Sequence, residues 1–195
     1  MTRRSKYKNI FLFAVLAGLL ILFLAGRNYC LKGHSPQEVD FWIRQLSDGN
    51  NAIRMGAVKK LGAFREKKAV PYLSDLLAQD NNLWVRVECA IALGNIGDVL
   101  GVDPLLAALE SNNPPVRREA ATALGKIGDP GSVENLMIRL RKDNNRLVRI
   151  RIIEALGLFG DKRVKDTISA YLTDSDIWVR RVSYQALNRL GKELN

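Results

Sequence analysis

The chain has 195 residues, with 30 basic and 20 acidic side chains, a formal charge of +10 and two cysteines. Six of the 30 basic residues lie at positions 1–34, which contain no acid, leaving 24 basic against 20 acidic side chains in the rest. Two cysteines with no pairing pattern exclude a disulfide-built domain, and the overall basicity is no mark of a nucleic-acid binder.

Residues 1–9 form a basic tail carrying Arg3, Arg4, Lys6 and Lys8. From Ile10 to Gly26 no side chain is charged or polar. Seventeen residues at about 1.5 Å each reach roughly 25 Å, the short end of what spans a bilayer. Tyr7 and Tyr29 stand at the two ends, where aromatic rings favour the interface. A cleaved signal peptide needs a small-x-small site, but Phe23 stands two residues before Ala25; a lipoprotein needs small residues before Cys30, but Asn28 and Tyr29 precede it. Residues 10–26 are therefore expected to be an uncleaved single-pass anchor. The excess positive charge before them predicts a cytoplasmic N-terminus and a domain on the far side of the membrane.

After a linker at 27–34, Ser35-Pro36-Gln37-Glu38 has the form of a capping box. It predicts a short cap helix with Val39, Trp42, Ile43 and Leu46 on one side. From there the sequence repeats. Arg54, Arg86, Arg117, Arg149 and Arg180 recur every 31 or 32 positions, each followed eight residues on by Gly62, Gly94, Gly125, Gly157 and then Asn188. Leu61, Leu93, Leu124, Leu156 and Leu187 precede those positions. One supersecondary unit stacked on copies of itself is the reading.

In the copy beginning at Asn112, Asn113 is placed to cap a helix whose first turn holds Pro114. Val116, Ala120, Ala121, Ala123, Leu124 and Ile127 give it one apolar face. Gly128 ends it, and Val133, Leu136, Met137 and Leu140 line a second helix. Neither helix can bury its face alone, whereas stacked copies make a continuous core.

The strings VRVECAIALGNIGD from Val85, VRREAATALGKIGD from Val116 and VRIRIIEALGLFGD from Val148 resemble HEAT repeats. They are most similar to the short HEAT-like class first described in phycobilisome lyases. The resemblance runs from about Asp48 to the C-terminus. It implies an all-α, right-handed α-solenoid for the repeat domain at 35–195, which the one N-terminal transmembrane helix expected at 10–26 precedes. It says little of function, because HEAT-like arrays serve as scaffolds, chromophore-attachment factors and DNA repair enzymes. Two units depart from the pattern and read as end units: the first has Arg65-Glu66 where Gly-Asp stands later, and the fifth stops after one helix.

Six residues before each repeated Arg stand Asp48, Asp80, Ser111, Asp143 and Asp174. Asp beside a helix start satisfies free amides, and the Arg can bond that carboxylate or its neighbour's. The Arg and Asp series is expected to be a structural ladder. Cys89, in the slot of Ala57, Ala120, Ile152 and Ser183, is expected to be a small buried residue, unbonded to Cys30. Trp84 and Trp178 are expected to pack against the adjacent turn rather than serve as stacking platforms.

No Ser/His/Asp set, phosphate-cradling loop or Glu-x-x-His motif is present, and His34 with Cys30 makes at most two metal ligands. No catalytic residue, metal or cofactor is expected. The reading is a membrane-anchored scaffold or adaptor for a protein partner, possessing no chemistry of its own. A phycobilin-lyase-like chromophore-attachment or chaperone protein is the first alternative, and a nucleic-acid-binding HEAT-like protein the second, which an extracytoplasmic location opposes. Net charge is −2 from Gln37 to Ile138 and +7 from Arg139 to Lys192. The expected partner site is accordingly the basic cluster Arg139, Arg141, Lys142, Lys162, Arg163 and Lys165, suited to an acidic protein segment or to lipid phosphates. In HEAT-like arrays the second helices line the concave side, so the resemblance places these residues there.

Overall fold

A computed structural model describes residues 34–192. The expected anchor at 10–26, the basic tail and Cys30 lie outside them. Among the described residues no helix is long and apolar enough to cross a membrane.

Ten α-helices follow one another: α1 Pro36–Gln45, α2 Asn51–Phe64, α3 Val70–Gln79, α4 Leu83–Ile96, α5 Val102–Ala108, α6 Pro114–Ile127, α7 Ser132–Lys142, α8 Arg146–Leu158, α9 Val164–Ser169 and α10 Ile177–Lys192. Short 3-10 turns at Lys67–Ala69, Val99–Gly101 and Ala170–Thr173 join some of them, and the described residues hold no strand. The compact unit that carries the repeats begins at Val39. Before it, at the start of α1, Ser35 Oγ accepts from the Glu38 amide at 3.1 Å, the first half of the expected capping box.

Each unit pairs a long first helix (α2, α4, α6, α8) with a shorter second one (α3, α5, α7, α9). The first helices pack mainly on the first helices of the units before and after them. This is a helical solenoid, and its apolar stripes close into a single core. Leu61, Leu93, Leu124 and Leu156 occupy the same place in successive units, each no more than 1% exposed.

The glycine after each of these leucines sets how closely units stack. A Cβ on Gly62 would lie 2.8 Å from Ala92 Cβ, and one on Gly94 would lie 2.7 Å from both Cα and Cβ of Ala123. Gly125 meets Ala155, and Gly157 meets Ala186, in the same way. Ala-Leu-Gly is thus a docking signature, the glycine of one unit receiving the alanine of the next. At Asn188, in α10, no later helix presents an alanine among the described residues.

The helix ends follow local chemistry. Asn82 Oδ1 accepts from the amides of Trp84 and Val85 at 2.8 and 3.2 Å, and Asn145 does the same for Leu147 and Val148. Asn113 sits at the same place in extended backbone but makes no side-chain cap bond. That corrects the expectation for this helix. Pro115 stands where the capped amide should be, and proline has no N–H to donate. At the other end Gly97 and Gly128 adopt φ of 73° and 74°. Arg65, holding the matching place in the first unit, is forced to φ 54°.

Candidate functional site

The charged ladder runs between units. Arg54 donates from Nε and Nη2 to the two oxygens of Asp80 at 2.7 and 2.9 Å, and from Nη1 to the Asp48 carbonyl at 2.8 Å. Arg117 repeats this with Asp143 at 2.6 and 3.0 Å and with the Ser111 carbonyl at 2.8 Å. Arg149 holds Asp174 through Nη2 alone, at 3.1 Å, and its buried Nε has no partner. Arg180 bonds the Asp174 and Ser175 carbonyls. Arg54, Arg117 and Arg149 thus tie their own helix starts to the carboxylate of the following unit, and Arg180 ties only its own helix start.

The carboxylates are satisfied from several sides. Asp143, with its side chain 0% exposed, also accepts from the Asn145 amide at 2.9 Å and from Arg139 Nε at 2.9 Å. Burial alone would raise its pKa, but the bonds from Arg117, the Asn145 amide and Arg139 prevail and hold the carboxyl below the usual carboxylate range. Asp80 is lowered in the same way: burial opposes, while Arg54, the Asn82 amide and the charge of Arg86 prevail.

One rung is missing. The partner position for Arg86 is Ser111, whose Oγ still accepts from the Asn113 amide at 3.2 Å, as an Asp oxygen does elsewhere. The hydroxyl is too short to meet the guanidinium, and Arg86 Nε is buried with no hydrogen-bond partner. A second truncation coincides with this one. Arg139, which grips Asp143 from the second helix, has Ala107 as its counterpart one unit earlier. With Asp reduced to Ser and Arg to Ala at neighbouring places, a cavity of about 420 Å³ opens, lined by Arg86, Ser111, Asn113, Ala107, Leu77 and Val116 among others. The Ser among four Asp residues was visible in the sequence, but that Arg139 serves Asp143, and so that Ala107 matters, appeared only with the bond itself.

The basic residues expected to bind a partner have different fates. Arg139 is 15% exposed and engages Asp143 and, at 3.1 Å, Glu110, so its charge serves the ladder. Arg141 Nη2 donates to Thr167 Oγ1 at 3.1 Å, which brings the end of α7 to α9. Arg163 folds back on Asp161, with Nη2 to Oδ2 at 2.6 Å. Lys142 and Lys162 are exposed, and Lys165 is half-buried.

Cys89 is free and buried, and burial raises its thiol far above the ordinary value. Trp84 and Trp178 are 57% and 53% exposed, contrary to the expected packing. Both sit in the first turn of a first helix. Arg181 lies 5.5 Å from the Trp178 ring centroid, a cation–π distance. Grooves of about 400 and 350 Å³ run beside the two rings, between α2 and α4 and between α8 and α10. Among the described residues no group of three or more His, Cys, Asp or Glu could hold a metal ion.

Stacked two-helix units fastened by interunit Arg–Asp bonds define an α-helical repeat scaffold. The family model for HEAT repeats matches residues 39–105, 80–151 and 133–194, and the chain belongs to that family. No curated protein sequence matches the chain. Among solved structures it is similar to the CpcE–CpcF complex of phycocyanin lyase from Nostoc sp. PCC7120, with TM-score 0.71 and 22% identity over 83% of this chain and 68% of that one. Human deoxyhypusine hydroxylase in complex with glycerol gives 0.57 and 18% over 81% and 75%. A designed armadillo repeat protein in complex with the peptide (KR)4 gives 0.60 and 15% over 81% and 87%. At these identities the likeness is one of fold.

Proposed function

We propose that the protein is a membrane-anchored scaffold that docks a protein partner on its HEAT solenoid and carries out no chemistry itself. The observation that supports this most is the ladder. It draws the repeated Arg and Asp residues into stacking, so the outer surface is left with grooves between units, lined by mixed apolar and charged side chains. The apolar run at 10–26 and the basic residues before it support an anchor with the repeats on the extracytoplasmic side. The exposed Lys142 and Lys162, with Arg141, Arg163 and Lys165 around them, favour an acidic partner surface.

Affinity purification of the full chain from detergent-solubilised membranes, followed by mass spectrometry, tests the reading. Recovery of one stoichiometric protein partner from the membrane fraction is expected. A chain found alone in the soluble fraction would overturn it. A reporter fused after Asn195 that works only in the cytoplasm would overturn the orientation alone.

The fold likeness to the CpcE–CpcF complex favours a second reading, a chromophore-attachment or chaperone protein. Covalent attachment of a bilin by the purified chain would establish it in place of the scaffold.

A further inference from the structure

We propose that the Arg86 cavity is a carboxylate receptor, taking an Asp or Glu side chain of the docked protein in the place that Asp143 fills one unit later. This rests on the scaffold reading for the identity of the ligand, but the site itself stands on its own geometry.

The neighbouring rungs show what the position accepts. At two of the three rungs that have a carboxylate it receives Nε and Nη2 together, at 2.7 and 2.9 Å on Asp80 and at 2.6 and 3.0 Å on Asp143, while Asp174 takes Nη2 of Arg149 alone. Arg86 starts from the same helix position, and its Nε is buried with no partner. A buried guanidinium N–H left without an acceptor is costly, and a two-point carboxylate removes that cost better than water does. Asp80 does not supply the acceptor. It is turned to Arg54 and the Asn82 amide, and no ion pair joins it to Arg86.

Room and access are also present. Arg86 is only half-buried, so a ligand can reach it. The cavity of about 420 Å³ far exceeds a carboxylate, and Leu77, Ala107 and Val116 give an aliphatic stem something to lie against. Asn113 makes no helix-cap bond and lines the same cavity, which leaves its side-chain amide available as a second polar contact. Glu110 is the one carboxylate on the cavity wall, and Arg139 holds it at 3.1 Å. Its charge weakens binding of an anion, so Glu110→Gln is expected to tighten it.

The test uses the full chain, ¹⁵N-labelled and purified in detergent, with the Arg86 Nε–H resonance assigned by its loss in Arg86→Lys. The probe is glutamate blocked at both ends, so that only the side-chain carboxylate is charged. Blocked glutamine and inorganic phosphate are the comparison arms. A saturable shift of the Arg86 Nε–H with blocked glutamate, in the millimolar range fitting a single two-point contact, and none with blocked glutamine, is the expected result. Ser111→Asp rebuilds the rung at the 25-residue step already used by Arg149 and Asp174. It is expected to move the resonance without ligand, to melt higher and to abolish the response.

No shift with glutamate, an equal shift with glutamine, a stronger response to phosphate, or an undiminished response in Ser111→Asp would each overturn the proposal. Should Ser111→Asp fail to fold, Arg86→Gln replaces it. The response of the Asn113 side-chain amide to glutamate must then vanish, and its persistence would overturn the site. None of these readings depends on recovering a partner, so failure here leaves the scaffold reading standing, and the reverse also holds.

Discussion

Arg117 and Asp143 are 26 residues apart in sequence, yet they share two hydrogen bonds of 2.6 and 3.0 Å, with the carboxylate fully buried. The pair closes the seam between two units. One unit earlier the same seam lacks its carboxylate and holds a cavity instead.

Rungs that differ in geometry should differ in worth. Arg117→Ala leaves a buried carboxylate with only Arg139 and one amide, and is expected to cost about 3 kcal/mol. Arg149→Ala removes a single 3.1 Å carboxylate bond and two carbonyl bonds, and should cost about 1 kcal/mol. Urea unfolding of both variants gives the order. Equal losses would mean that the carboxylate bonds are not what distinguishes the rungs.

The lowered Asp80 and Asp143 make stability depend on acid. A carboxyl whose folded pKa lies below its unfolded value stabilises the fold fully above the unfolded value, about 4. That contribution is lost as pH falls through the folded one. Melting temperature is expected to hold from neutrality to about pH 5 and to drop below about pH 4. In Asp143→Asn the acid-dependent part of the drop should shrink.

Two glycines of α2 should respond oppositely to the same change. A Cβ at Gly56 meets nothing within 4 Å, so Gly56→Ala is expected to stabilise by about 0.5–1 kcal/mol through helix propensity. A Cβ at Gly62 lies 2.9 Å from the Ala92 backbone, so Gly62→Ala must push two units apart, at about 2 kcal/mol or more. Thermal melts of the two variants decide it.

Arg65 is the residue at φ 54° in a place that glycine takes in later units. Arg65→Gly removes left-handed strain of about 1–2 kcal/mol, offset in part by glycine's greater chain entropy. A net gain of about 0.5 kcal/mol in unfolding free energy is expected.

Much of this architecture could be read from the chain. The Arg-to-Gly spacing marked the units, because a repeat states the same packing rule several times over. What could not be read was which neighbour each charge would choose. Arg139 looked like a free basic residue on an exposed helix end, yet it turns back onto Asp143 one turn along its own helix and reaches Glu110 of the unit before. Asn113 looked like its capping counterparts until Pro115 removed the amide it would bind. Trp84 and Trp178 were expected to pack against the adjacent turn, yet both line open grooves between units and stay more than half exposed. The consequence of Ser111 was hidden for the same reason: an absent side chain matters only once its partner is known.

The central claim is that the repeated charges fasten one unit to the next. A double-mutant cycle on Arg117 and Asp143, with alanine at each site, measures this directly through unfolding free energies. Strong coupling is expected, the double variant losing at least about 1 kcal/mol less than the sum of the single losses. Additive losses would contradict the claim and leave the ladder without a part in holding the solenoid together.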